Sequence, residues 1–389
     1  MKTLIRFYFM TSLDHNIVHC VNVTMSSQYP VYRHHINIQL QSNTFPFQGV
    51  NMASATPSLA GQIALVTGAS RGCGRGIALQ LGKAGATVYI TGRSEGDLQL
   101  TCKEVILRGA ADAFAIVMDH SNDEEVEALF ERIKKEQDGR LDICVNNAYA
   151  GINSIVENSG KKFYEQPIDM WDQLNGVGLR GHYLCTVFAS RMMTERKSGL
   201  IVNISSPGGL RYAFNVAYGI GKSACDRMAS DCAIELKKDH VAMISLWPGM
   251  VATEIIKKTC NRMLSDMRAR IPAANLYFRS PELKYVQDVA NQPEKWHEDN
   301  LDAESVEFSG MAIAHLAADP KIMDKSGRTL MTHDLAYEYN FKDVNGEIRG
   351  DIRNLKKTLE MQGHPWLAMM VPKCVLIPRY LVHFASFKF

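Results

Sequence analysis

No stretch of this chain reaches about 18 uninterrupted apolar residues, so a conventional membrane-spanning helix is not expected. The 9 cysteines are scattered, with no CxxC pair and no Cys/His spacing suited to zinc. That pattern and the odd number fit a reduced, intracellular compartment and predict no metal site. Charge is nearly balanced: 43 Lys+Arg against 41 Asp+Glu leave a net +2, which gives no basic footprint for nucleic acid. What remains is ordinary globular composition, 46% hydrophobic and 22% charged over 389 residues. It suffices for one large domain or two small ones.

From Gly61 the texture becomes regular. Gln62 to Thr67 is a short apolar run of strand type and leads into Gly68-Ala69-Ser70-Arg71-Gly72-Cys73-Gly74. Ile77, Leu81 and Ala84 then repeat at helical spacing until Gly85. Strand, glycine-rich turn and helix in that order predict nucleotide binding, with Gly68, Ser70, Arg71, Gly72 and Gly74 as candidate contacts. Small residues let the backbone approach a pyrophosphate, and the helix N-terminus offers free N–H groups. The alternative is a tight turn that needs glycine for its backbone angles alone.

The next strand, Thr87 to Thr91, ends at Gly92-Arg93-Ser94. An NAD site is expected to carry an acidic residue here for the ribose hydroxyls, and none is present. Arg93 and Arg71 instead offer guanidinium groups that fit a 2′-phosphate, so NADP(H) is expected over NAD(H). Solvated loop charges are the plainer reading of both arginines.

The alternation continues. Strands are expected at Ala113–Met118, Leu141–Val145, Leu200–Ser205 and Val241–Trp247; helices at Asp123–Gln137, Met170–Arg196 and Val216–Lys238. This predicts an α/β chain, a Rossmann-like doubly wound parallel sheet with flanking helices in a single domain. Ligands on such sheets sit beyond the C-terminal strand ends. Gly72, Asn146, Ser206, Pro248 and Gly249 fall there, and Asp119, at the end of its strand, could reach an adenine edge. Asn146 could border a cofactor or tie the central sheet together.

Tyr218 and Lys222 stand four apart in the Val216–Lys238 helix, which puts both on one face. At neutral pH only about one free phenol in a thousand is ionised. A nearby ammonium favours the phenolate and makes such a Tyr a better acid/base. A hydroxyl from Ser205 or Ser206, 13 or 12 residues upstream, could orient a carbonyl oxygen toward it. The bland alternative is a surface Tyr and Lys on an ordinary helix.

Three stretches stand apart. Residues 1–51 show no sustained period and are expected to be a disordered extension, or to precede a start at Met52. A weaker reading takes Lys2, Arg6 and the following Phe7-Tyr8-Phe9-Met10 as a signal peptide. Residues 250–301, rich in charge and proline, form a candidate substrate lid or else a surface insertion. The last strand is expected at Gly327–Thr332, which closes a domain spanning 52–340. In the 341–389 tail, the aromatics and interleaved cations of 365–389 suit a membrane surface; packing on the domain or sealing a dimer is the alternative.

Taken together, Thr67-Gly68-x-x-x-Gly72-x-Gly74, Asn146-Asn147-Ala148, a serine before Tyr218-x-x-x-Lys222, and Pro248-Gly249 with Thr253 resemble the short-chain dehydrogenase/reductase superfamily over about residues 60–335. The resemblance implies an NADPH-dependent reductase of ketone and aldehyde carbonyls, steroids and xenobiotics among them, with an endoplasmic reticulum association and a homo-oligomer as further expectations. It makes Tyr218 the proton donor in reduction. Lys222 lowers its pKa and bonds the nicotinamide ribose, Ser206 (or Ser205) holds the carbonyl, and Thr253 meets the carboxamide. The alignment with the strand end favours Ser206; the usual spacing favours Ser205. The chain departs from the family where Tyr149 replaces a usual glycine and Gly178 a usual asparagine, with Asn175 nearly a turn away. Those departures leave a rival reading, a catalytically weak nucleotide-binding or membrane-associated scaffold.

Overall fold

The structure is a computed structural model. It describes residues 56–254 and 303–351 without a break, the backbone of 2–10, 18–26 and 36–41, and parts of 353–377. The candidate lid beyond Glu254 lies outside the described residues. The chain divides into two compact units, Ala53–Gly350 and a second made of Met1–Met52 with Asp351–Phe389.

In the second unit the backbone of β1 (Lys2–Met10), β2 (Val18–Ser26) and β3 (Ile36–Gln41) forms an antiparallel sheet in the order β1-β2-β3, with Ile5 opposite Val23 and Val23 opposite Ile38. Its strands hold the β-branched and aromatic residues that favour a pleated surface, among them Ile5, Phe7 and Val21.

The Ala53–Gly350 unit is built on β4 (Ile63–Val66), β5 (Thr87–Gly92), β6 (Asp112–Val117), β7 (Ile143–Asn146), β8 (Gly199–Ile204), β9 (Val241–Trp247) and β10 (Thr329–Met331). They form one parallel sheet in the order β10-β9-β8-β7-β4-β5-β6. Helices cover both faces, which is why β4, β7 and β9 are buried along their whole length and carry no polar alternation in their cores. Ala64 and Val66 point into one core layer with Ile77 and Leu81 of α1 (Gly72–Lys83) and Leu98 of α2 (Glu95–Leu107). Ile63 and Leu65 point into the other, with Phe130 of α3 (Asp123–Glu136). The strand order reverses between β4 and β7, and in such sheets the crevice at that reversal takes the ligand.

The expected helix Met170–Arg196 is interrupted. It runs as α5 (Met170–Asn175, after the short α4, Ile152–Glu157), then a π-helical segment at Gly176–Gly181, then α6 (His182–Arg196). Three glycines, at 176, 178 and 181, weaken the α-helical register here, and the Tyr149 ring packs where a side chain on residue 178 would stand. The site helix, α7, spans Val216–Leu236. Further on, α8 (Phe308–Ala317) lies against α1, with Gly310 facing Gly76 and Ile77, and α9 (Thr332–Tyr339) follows β10. α10 (Pro365–Met370) belongs to the second unit.

Candidate active site

The glycine turn after β4 is clasped by the loop after β7. The Thr67 hydroxyl accepts the N–H groups of Asn147 (2.9 Å) and Ala148 (3.0 Å), and the Asn147 amide donates to the carbonyls of Thr67 (2.9 Å) and Gly68 (3.0 Å). Gly68 has φ +68°, and a β-carbon there would lie 2.6 Å from Ala148 Cα, so only glycine fits. A β-carbon on Gly74 would run into the Asn147 amide and the Gly68 carbonyl. Ser70 Oγ lies over Gly92 at the end of β5. The Asn147 side chain thus holds the glycine turn against the end of β7.

At the outer end of the crevice Arg71, Arg93, Asp119, Ser121 and Tyr149 line one cavity of about 480 Å³. The Asp119 carboxylate accepts from Ser121 N–H (2.9 Å) and Oγ (2.8 Å) and lies 3.6 Å from Arg93. Partial burial pushes this carboxyl up, but the Ser121 bonds and the Arg93 charge outweigh it and hold the group below its ordinary value. Both arginines are exposed, with their guanidinium groups available to an anion.

Asn146 does not face this crevice. It is fully buried, and its amide donates to Asn203 Oδ1 (2.9 Å), Thr186 Oγ1 (3.0 Å) and His182 O (3.3 Å). Its side-chain amide therefore ties β7 to β8 and α6, as the second of the two readings the sequence allowed would have it. Its strand position alone could not reveal which way the amide turns.

The Tyr218–Lys222 pair rises from the start of α7. Asn215 caps that helix by accepting the Tyr218 N–H at 2.8 Å, which fixes the first turn. The Lys222 ammonium sits 6.0 Å from the Tyr218 ring centroid and 4.8 Å from that of Tyr149, and it donates to Ile204 O at 2.8 Å. The Tyr218 ring meets Tyr149 (6.0 Å between centroids) and Phe214 (5.0 Å) edge-to-face. Gly208 packs directly on it, since a β-carbon there would lie 2.5 Å from Tyr218 Cε1. Ser206 opens that turn and accepts the Gly208 N–H at 3.1 Å, whereas Ser205 is buried and donates to Lys222 O at 3.0 Å.

Beneath the pair, Asp226 accepts from Ser245 Oγ and from Trp247 Nε1 (2.9 Å), joining α7 to β9. Burial raises its carboxyl above the ordinary value, against the pull of those bonds and of Lys222. Asn175 donates to Ala217 O (3.3 Å) and packs on Gly221, so it meets α7 along its backbone. Past β9, Pro248 is buried, and the Gly249 N–H donates to the buried Glu304 carboxylate at 2.7 Å. Thr253 comes within 3.5 Å of a β-carbon placed on Gly72, and Glu254 Oε2 accepts the Gly72 N–H at 3.1 Å. Neither glutamate carries a sequence signal, because both act across long separations. Among the described residues no His/Cys/Asp/Glu group could hold a metal ion.

A Tyr–Lys pair beside a glycine-rich turn at a helix N-terminus is what redox enzymes working with a soluble dinucleotide need, and the comparisons narrow that class. The chain belongs to the short-chain dehydrogenase/reductase family of oxidoreductases, which use NAD(P)(H) on small-molecule substrates; the family model for short chain dehydrogenases matches residues 62–263. It is 44% identical to dehydrogenase/reductase SDR family member 1 of Homo sapiens and of Mus musculus, over 85% of this chain and 98% of each of theirs. A 3-oxoacyl-(acyl-carrier-protein) reductase of Aquifex aeolicus is 32% identical over 58% of this chain and 87% of its own. A solved structure described as a short-chain alcohol dehydrogenase of Sinorhizobium meliloti shares the fold, with TM-score 0.53 at 24% identity, over 72% of this chain and 98% of that one.

Proposed function

We propose that the protein reduces ketone or aldehyde carbonyls to alcohols with NADPH, Tyr218 giving the proton. The observation that carries this reading is the Tyr218–Lys222 pair on one face of α7, with the Ser206–Gly208 turn packed on the Tyr218 ring. The cradle suits a dinucleotide: the glycine turn tolerates no β-carbon at Gly68 or Gly74, and its first helical amide already binds an anionic oxygen, that of Glu254. Gly68 to Gly74 would hold the pyrophosphate, Arg71 and Arg93 a 2′-phosphate, and Thr253 and Lys222 the nicotinamide end. Reduced nicotinamide, when bound, supplies hydride to the carbonyl carbon. Ser206 orients the carbonyl oxygen, Tyr218 passes its phenolic proton to that oxygen, and the Lys222 ammonium stabilises the phenolate left behind.

The test is turnover of steroid ketones, quinones, diones and aldehydes with NADPH and with NADH, followed at the nicotinamide absorbance band, with Tyr218→Phe as control. Turnover with NADPH that the Phe variant loses is expected. NADPH binding with no carbonyl turned over would replace this reading with a nucleotide-binding scaffold.

For the tail we propose membrane-surface contact of the kind an endoplasmic-reticulum association needs. Trp366, Met369 and Met370 are exposed on α10, and among the described residues no helix is long and apolar enough to cross a membrane. Co-sedimentation with anionic vesicles, lost on removal of 365–389, is the expected result.

A further inference from the structure

The two positions that set this chain apart, 149 and 178, meet in space. A β-carbon built on Gly178 would lie 2.5 Å from Cδ2 and 2.7 Å from Cε2 of the Tyr149 ring, well inside the roughly 3.5–4.0 Å of ordinary carbon contacts. The backbone leading to Tyr149 is held, since the N–H groups of Asn147 and Ala148 are bonded to Thr67. The ring then lies with its face 4.8 Å from the Lys222 ammonium and at 84° to the Tyr218 ring.

We propose that Tyr149 is a positioning residue of the proton-transfer pair: its ring roofs Lys222, keeps water from the ammonium and braces Tyr218, and glycine at 178 is what gives it room. The inference rests on the reductase reading above. A ring face at this distance attracts a cation, and a dry ammonium acts on the neighbouring phenol more strongly than a solvated one. Two phenols therefore flank one ammonium, and their roles are separated by environment. The Tyr149 hydroxyl is buried and has no hydrogen-bond partner among the described residues. Burial, with smaller contributions from Tyr218 and Cys225, pushes it far up, so Tyr149 stays protonated and does not compete as the acid.

The other ionisable groups around the pair are muted or fixed. On α6, burial and the Lys222 charge push His182 down to about 3. On α1, burial first and then the Glu304 charge push Cys73 up to about 12. On α7, burial raises both Cys225 and Asp226.

The test uses the full chain and four variants: Tyr149→Phe, Tyr149→Leu, Gly178→Ala and the last two combined. In the reduction assay, Tyr149→Leu should lower kcat about tenfold with little change in KM for the carbonyl. It should also move the alkaline fall-off of kcat upward by about half a pH unit or more, because a hydrated ammonium holds the phenol's proton less loosely in play. Tyr149→Phe, which keeps the ring, should keep that fall-off in place. Gly178→Ala should reproduce the Leu phenotype and lower the melting temperature in the tyrosine background, yet add nothing in the leucine background. An unmoved pH profile in Tyr149→Leu, or a Gly178→Ala effect of equal size in both backgrounds, overturns the proposal. If wild type turns over no carbonyl, it is the reductase reading that fails, and the melting-temperature cycle still decides whether residues 149 and 178 interlock.

Discussion

Glu254 sets a carboxylate oxygen 3.1 Å from the Gly72 backbone nitrogen, at the N-terminus of α1. That amide is one a glycine turn offers to phosphate, so a carboxylate there competes with the dinucleotide. Glu254→Gln should therefore tighten NADPH binding. A charge at a helix terminus is worth about 0.3–1 kcal/mol, which corresponds to roughly a two- to fivefold lower Kd. Fluorescence titration reads this directly; an unchanged Kd would mean the carboxylate leaves the amide at no cost.

Arg71 and Arg93 face the same cavity, and Arg93 lies 3.6 Å from Asp119, a loose surface pairing of small energy. The guanidinium is thus free to turn to a phosphate. Charge-assisted bonds contribute about 1.5–3 kcal/mol. Replacing both arginines by Ala should raise KM for NADPH at least about tenfold and leave KM for NADH nearly unchanged. Equal losses with both cofactors would assign the arginines to the shape of the cleft.

The sheet was legible because a parallel sheet covered on both faces needs largely apolar strands, and Ile63–Val66, Ile143–Val145 and Val241–Ile244 are such runs. The glycine turn and the Tyr218–Lys222 spacing were legible for the same reason, since local sequence sets their geometry. The direction of the Asn146 amide was not, because it depends on Asn203 and Thr186, 57 and 40 residues away. The break between Met170 and Arg196 was hidden as well. Glycines at 176, 178 and 181 permit a π-helical segment, but it is Tyr149, distant in sequence, that fills the space beside it. α2 escaped notice because its apolar residues do not form one stripe: Leu98 is buried while Leu100 and Leu107 are exposed.

Acid should destabilise the fold well before the carboxylates titrate. Burial holds His120 down at about 4 and His182 at about 3, the latter with help from the Lys222 charge. In the unfolded chain both titrate near about 6.5. Between those values the unfolded chain binds protons the native state refuses, so stability is complete above about pH 6.5 and is lost as pH falls toward 4 and then 3. Asp119, held low, adds a loss of the same sign at lower pH; Asp226, held high, opposes it. Urea unfolding at pH 7 and pH 5 should differ by on the order of 4 kcal/mol, roughly half from each ring, and His120→Gln should flatten the slope. Equal stabilities at the two pH values would rule out neutral burial of these rings.

Ser205 and Ser206 leave β8 toward opposite sides, as consecutive residues of an extended chain must. The Ser205 hydroxyl is buried and donates its proton to Lys222 O. Removing it loosens the tie between β8 and α7, at a cost of about 1 kcal/mol in stability. The Ser206 oxygen is half-buried and accepts the Gly208 N–H, which leaves its own proton to donate. An orienting hydroxyl needs that arrangement: an acceptor site filled by the turn and a donor directed at the carbonyl oxygen. Because Gly208 packs on the Tyr218 ring, one turn places both hydroxyls. Ser206→Ala should therefore lower kcat by about 10²–10³, the loss seen when one donor to a developing oxyanion is removed, while its melting temperature falls only by the loss of the cap on the Gly208 N–H. Ser205→Ala should lower the melting temperature and keep kcat close to wild type. Steady-state kinetics and thermal melts on the two variants separate the roles, and the reverse pattern would move the orienting hydroxyl to Ser205, 13 residues before Tyr218.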